Sequence, residues 1–75
     1  MAEHTKFGDI LKAARTAQGL SFLELEIRSG VYRRNIQYLE KGVTNPNLRT
    51  LMLLAVGLGA NLKIDFEFDP EQNKG

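Results

Sequence analysis

The sequence predicts an all-α domain of four to five short helices followed by one short C-terminal β-strand. Three observations carry that prediction. Apolar residues recur at helical spacing in successive segments, and glycines at positions 19, 30, 42 and 59 fall where those segments should stop. After Asn61 the apolar repeat shortens from about 3.6 residues to about 2, the mark of a strand with one covered face. The chain has 75 residues and no internal repeat, which leaves room for one compact domain. A core that small gains stability when copies associate.

Each element follows from its own residues. Phe7, Ile10, Leu11 and Ala14 share one helical face and predict a first helix over residues 5–18, stopped by Gly19. Ser21 followed by Glu24 is a capping box and opens a second helix at 22–29. Gly30 interrupts after two turns; Ile36 and Leu39 then face inward along a third helix, 33–41, closed by Gly42. Residues 43–46 form a loop, and Asn47 suits the N-cap of a fourth helix whose apolar face is Leu48, Leu51, Leu54, Ala55 and Leu58. Leu62, Ile64, Phe66 and Phe68 alternate with Lys63, Asp65 and Glu67 as the strand, and the polar end from Pro70 frays. The expected division is a helical domain at 1–61, a dimerisation strand at 62–69 and a tail at 70–75.

Composition removes several function classes. There is no cysteine, and the one histidine, His4, lies in the N-terminal tail. Disulfides, thiolate metal sites and histidine catalysis therefore lack their raw material, and neither metal nor cofactor is expected. The acids are scattered and no glycine-rich phosphate loop occurs, so the expectation is a protein that is not an enzyme. The longest apolar stretch, residues 51–60, is about half of what crosses a bilayer, and the N-terminus lacks signal-peptide organisation. A cytoplasmic protein without a membrane partner is expected. Net charge is only +1, but residues 1–50 hold eight Lys/Arg against five acids and residues 51–75 hold two against four. The basic part suits a polyanion, with the acidic end turned away from it.

Two short helices at 22–29 and 33–41 joined by a glycine-containing turn make a helix-turn-helix, an arrangement common among helical proteins. The detail is more specific. Residues 7–62 resemble the Xre/Cro/C1 family of phage and bacterial repressors through Gly19-Leu20-Ser21, Leu25, Gly30-Val31, Ile36, Leu39-Glu40-Lys41-Gly42, Asn45-Pro46-Asn47-Leu48, Thr50-Leu51 and Leu58-Gly59. The resemblance spans about three quarters of the chain in the right order and spacing. It implies a lambda-repressor-like fold and a transcriptional regulator, a repressor or autoregulator, binding a palindromic double-stranded DNA operator as a homodimer. It also implies that Arg15 and Glu40 form a buried ion pair orienting the third helix.

With Ile36 and Leu39 turned inward, Arg34, Gln37, Tyr38 and Lys41 project from the opposite side of the third helix and Arg33 from its flank. Arginine can donate twice to guanine, glutamine can pair with adenine, and lysine can meet phosphate. The candidate base readers are Arg33, Arg34, Gln37 and Tyr38, and the resemblance implies base contacts at the positions of Arg33, Arg34 and Tyr38. Candidate DNA-backbone contacts are Ser21, Phe22, Asn35, Lys41, Thr44 and Asn45, with Thr5, Lys6, Lys12 and Arg49 flanking them. Asn35 is equally open to capping a neighbour, and Thr5, Lys6, Lys12, Lys41, Thr44, Asn45 and Arg49 are each equally open to being solvated surface residues.

Two positions depart from the family pattern. Phe22 stands where a polar, phosphate-contacting residue is usual, so phosphate there must rest on helix N-terminal amides, or else Phe22 packs against Tyr32 or a partner subunit. Glu26 stands where a small buried residue is usual; it reaches Arg28, Arg33 or solvent, and either narrows site choice or is merely tolerated.

A lone strand has no sheet to join in a helical domain this small, which points to pairing with a second copy. Met52, Leu53 and Val56 are apolar where the family often has lysine or another polar residue. With Leu62, Ile64, Phe66 and Phe68 they form the candidate dimer interface; the alternative is an unusually broad core. A strand directly after the last helix is similar to HipB-type antitoxins. That likeness implies a protein toxin as a further partner, bound through the acidic segment 65–71 and outer helix faces. Other readings are a restriction-modification controller and a protein-interaction module that keeps the fold without binding DNA.

Overall fold

The computed structural model describes residues 6–63, and these form four helices: α1 (Phe7–Ala17), α2 (Phe22–Ser29), α3 (Arg33–Lys41) and α4 (Leu48–Leu58). α2 packs most extensively on α4, and α1 and α2 each pack on α3. Leu11, Leu20, Leu25, Val31, Ile36, Leu39 and Leu54 meet in one core, with Phe7, Phe22, Leu53 and Leu58 packed around it. Each buried aliphatic side chain contributes about 1.5–3 kcal/mol.

The ends of the helices follow from local chemistry. The Ser21 hydroxyl accepts from the Glu24 N–H at 3.0 Å, and the Ser21 N–H donates to the Glu24 carboxylate at 2.8 Å, closing the capping box that starts α2. Gly30 ends α2 at a φ of 81°, a left-handed conformation that a side chain would strain. The chain then needs only Val31 and Tyr32 before α3 starts. The Ser29 hydroxyl accepts from the Val31 N–H at 3.0 Å and so ties that turn together from inside. At α4, Asn47 caps the helix by accepting from the Thr50 N–H at 2.8 Å.

Three expectations shift. The inward line of α1 runs through Gly8, Leu11 and Arg15, which leaves Ile10 51% exposed. Of the expected inward set, Leu11 is buried, Phe7 packs at the edge of the core and Ala14 is half-buried, so Ile10 alone turns outward, while Arg15 takes a buried place on the helix. Leu48 is 56% exposed because the first turn of α4 runs beyond the core and Leu54 is that helix's fully buried anchor. Leu62 and Lys63 belong to no regular element. Thr5 and most of the expected strand, including Ile64, Phe66 and Phe68, lie outside the described residues, as does the tail. No fifth helix occurs among the described residues.

Candidate nucleic-acid interface

α3 is fixed from below by Arg15. Its Nε and Nη2 donate to the two oxygens of Glu40 at 2.7 and 3.0 Å, and its Nη1 donates to the Leu20 carbonyl at 2.8 Å. The side chains of Arg15 and Glu40 are only 11% and 6% exposed. Donating to the Glu40 carboxylate raises the Arg15 pKa above its ordinary value, so the guanidinium is permanently charged. One residue thus ties α1, the turn before α2, and α3 into a single body. At the other end of that contact, α1 lies against the C-terminal carbonyls of α3. A Cβ on Gly8 would sit 2.5 Å from the Leu39 carbonyl oxygen, so only glycine allows this approach.

Phe22 completes the arrangement, and within the chain it meets Arg15 and the core. Its ring lies under the Arg15 guanidinium, 4.0 Å from the ring centroid, and packs against the core. Its half-buried side chain therefore supports the ion pair.

The outer surface of α3 divides into two depressions. One of about 490 Å³ is lined by Glu26, Tyr32, Arg33, Arg34, Asn35 and Tyr38. The other, about 470 Å³, is lined by Lys12, Arg15, Phe22, Gln37, Glu40 and Lys41. Three of the four expected base readers, Arg33, Arg34 and Tyr38, therefore share one wall, and all three are exposed. Gln37 is half-buried and faces the second depression, beside the Arg15–Glu40 pair.

The remaining candidates sit around this surface. Ser21 is exposed, with its hydroxyl engaged in the cap of α2. Asn35 is exposed and borders the first depression. Lys41, Thr44 and Asn45 come together with Lys6 around a smaller hollow of about 280 Å³ at the C-terminal end of α3. Of the apolar candidates on α4, Met52 is 54% and Val56 73% exposed, whereas Leu53 is partly buried against the core. Leu62 is 40% exposed.

Two contributors escape a reading by helical periodicity. Tyr32, 77% exposed, lines the arginine-rich depression from the N-cap position of α3, a site that periodicity does not assign to any face. Glu26, of the three partners open to it, faces Arg33: its Oε1 lies 3.6 Å from the Arg33 Nε, an ion-pair distance too long for a hydrogen bond. The seven-residue separation crosses the turn, so only the angle between α2 and α3 reveals it.

Among the described residues no helix is long and apolar enough to cross a membrane. No cluster of potential metal ligands occurs among them either.

Comparison with known proteins places this geometry. The Helix-turn-helix family profile matches residues 11–64. The chain is similar to an uncharacterized HTH-type transcriptional regulator of Haemophilus influenzae, 44% identical over 54 residues, which cover 72% of this chain and 55% of that protein. The chain thus spans about half the length of that relative. A second HTH-type transcriptional regulator, from Archaeoglobus fulgidus, is 36% identical over 62 residues, covering 83% of this chain and 89% of the relative. Among solved structures, the restriction-modification controller protein C.AhdI from Aeromonas hydrophila aligns with a TM-score of 0.72 at 38% identity, over 75% of this chain and 85% of that one. A tyrosine-to-alanine mutant of the restriction-modification controller protein C.Esp1396I aligns with a TM-score of 0.71 at 25% identity, over 75% and 73% of the two chains. The family match over residues 11–64, the two regulator relatives and the shared four-helix geometry lead to one conclusion: the chain belongs to the Xre/Cro/C1-type helix-turn-helix family of DNA-binding transcription regulators.

Proposed function

We propose that this protein is a sequence-specific transcriptional regulator, a repressor or autoregulator, that binds a palindromic operator as a homodimer with α3 in the major groove. The observation that carries the reading is the wall formed by Arg33, Arg34 and Tyr38, exposed on a helix whose orientation is set by the Arg15–Glu40 pair. Two guanidinium forks on a rigid helix match the guanine edge, and Tyr38 adds an apolar and hydroxyl surface for the neighbouring base. Gln37 reads bases from the less accessible side of the same helix. Ser21 and Phe22 present the N-terminal amides of α2 to one phosphate, while Asn35, Lys41, Thr44 and Asn45 hold the backbone on either side.

A single α3 grips too few base pairs for specificity in a genome, so two are required. Met52, Val56 and the edge of Leu53 supply apolar surface on α4, and Leu62, Ile64, Phe66 and Phe68 continue it in sequence. These form the dimer contact, with residues 1–61 as the reading domain, 62–69 as the pairing segment and 70–75 as a tail.

A narrower role is favoured by the 38% identity to a restriction-modification controller: regulation of a neighbouring restriction-modification gene set. Genes for a methyltransferase and an endonuclease beside this one support it; their absence removes it.

Selection of bound sites from a random duplex pool tests the main reading. The expected product is a two-fold symmetric sequence whose half-sites are one helical turn, about 34 Å, apart. Recovery of random sequence overturns it.

A further inference from the structure

The arginine-lined depression beside α3 contains one acidic group, contributed by α2. Glu26 is the one acid on the wall it shares with Arg33, Arg34 and Tyr38, and its side chain is 24% exposed against 58% for Arg33. A carboxylate at a phosphate-facing surface weakens binding to every sequence unless something offsets it. The geometry shows what offsets it. The carboxylate approaches the inner nitrogen of Arg33, Nε, at 3.6 Å. An arginine that meets guanine end-on uses its two terminal nitrogens, so a contact at Nε is compatible with end-on base reading by the same side chain.

We propose that Glu26 is a specificity-determining residue, positioning Arg33 toward guanine and raising the cost of any DNA that does not place a G·C pair there. When guanine engages the tips, the Arg33 charge stays shared between base and carboxylate, and Glu26 remains neutralised. On other sequences Arg33 swings toward a phosphate, leaving Glu26 unpaired beside the backbone. The carboxylate therefore acts mainly against wrong sites. It is a positioning residue acting through Arg33, and a neutral side chain of the same shape lacks the effect. This inference rests on the reading of α3 as the DNA-binding helix.

The test uses the full chain, with the wild type, Glu26→Gln, Glu26→Ala, Arg33→Ala and the Glu26→Gln/Arg33→Ala double variant. Each is titrated at one salt concentration against the selected site, the same site with the base pair read by Arg33 changed, and random duplex. Glu26→Gln is expected to bind random duplex about 3–10-fold more tightly and to lose about tenfold of its discrimination at that one base pair. Glu26→Ala, which removes the bulk as well, shows the same loss. In the Arg33→Ala background Glu26→Gln changes discrimination no further. Unaltered discrimination in Glu26→Gln, a loss spread evenly over all positions, or a loss that persists without Arg33 each overturns the proposal. If the wild type prefers no site at all, the DNA-reading assignment itself falls. A wild type with a preferred site that Glu26→Gln shares unchanged sinks the role of Glu26 alone.

Discussion

Arg33, Arg34 and Lys41 are all exposed cations on one short helix, yet they stand in different surroundings. The two arginines share a wall with tyrosines and an amide, whereas Lys41 lies with Lys6, Thr44 and Asn45 at the C-terminal end of α3. Base reading needs forked donors beside a shaped surface, and phosphate contact needs only a charge within reach. Lys41→Ala should therefore weaken specific and random DNA alike and reduce the slope of affinity against salt by about one ion, measured by titration over a range of salt. A loss confined to one sequence contradicts that role. Residue placement was legible in the sequence where periodicity decides it: Ile36 and Leu39 are buried and the polar face is outside. It was not legible where one side chain reaches across elements. Phe22 beneath Arg15 and Glu26 beside Arg33 depend on interhelical angles, and Ile10 lies exposed on the helix that buries Arg15.

At the level of the elements, the caps and stops were the most readable features. The expected spans of α2 and α3 agree with the structure because Ser21, Glu24, Gly30 and Gly42 are chemical terminators whose effect is local. The mutual placement of helices depends on partners distant in sequence. Glu40→Ala leaves the Arg15 charge buried without its carboxylate and should cost about 3–5 kcal/mol, read as a lower urea midpoint. A change within about 0.5 kcal/mol, as at an ordinary surface position, contradicts the structural role of the pair. The capping box has a pH signature. Hydrogen bonds from the Ser21 backbone N–H, then from its hydroxyl, lower the Glu24 pKa from its ordinary value. A depressed carboxylate stabilises the fold fully above its unfolded pKa and loses that contribution as pH falls through the folded one. Stability should thus fall from the ordinary glutamate range downward, and Glu24→Gln should flatten that acid limb in urea unfolding followed by circular dichroism. Identical acid limbs in the two proteins contradict the cap.

At the scale of the whole molecule, the described residues set the candidate DNA surface beside α3 and an apolar flank on α4. Residues 1–50 carry the surplus of positive charge and the candidate DNA surface, while the C-terminal part is acidic and holds most of the proposed dimer contact. Under the proposed function, this division separates attraction to DNA from association between copies. Truncation after Asn61 removes Leu62, Ile64, Phe66 and Phe68 and should leave a monomeric or unstable protein in sedimentation at micromolar concentration. A dimer that survives the truncation places the contact elsewhere, on α4 alone. The four-helix architecture was legible because each helix announces itself locally; how two copies meet was not, because an apolar residue such as Val56 or Met52 carries no mark of the surface that covers it.

The central claim is that α3 reads bases through its arginine wall, and Arg34→Ala tests it most directly. Affinity is measured for the selected operator, for operators changed one base pair at a time, and for random duplex. The account predicts a loss of about 1–3 kcal/mol on the operator, relaxed discrimination at one base pair, and a much smaller change on random DNA. Equal losses on operator and random duplex contradict it.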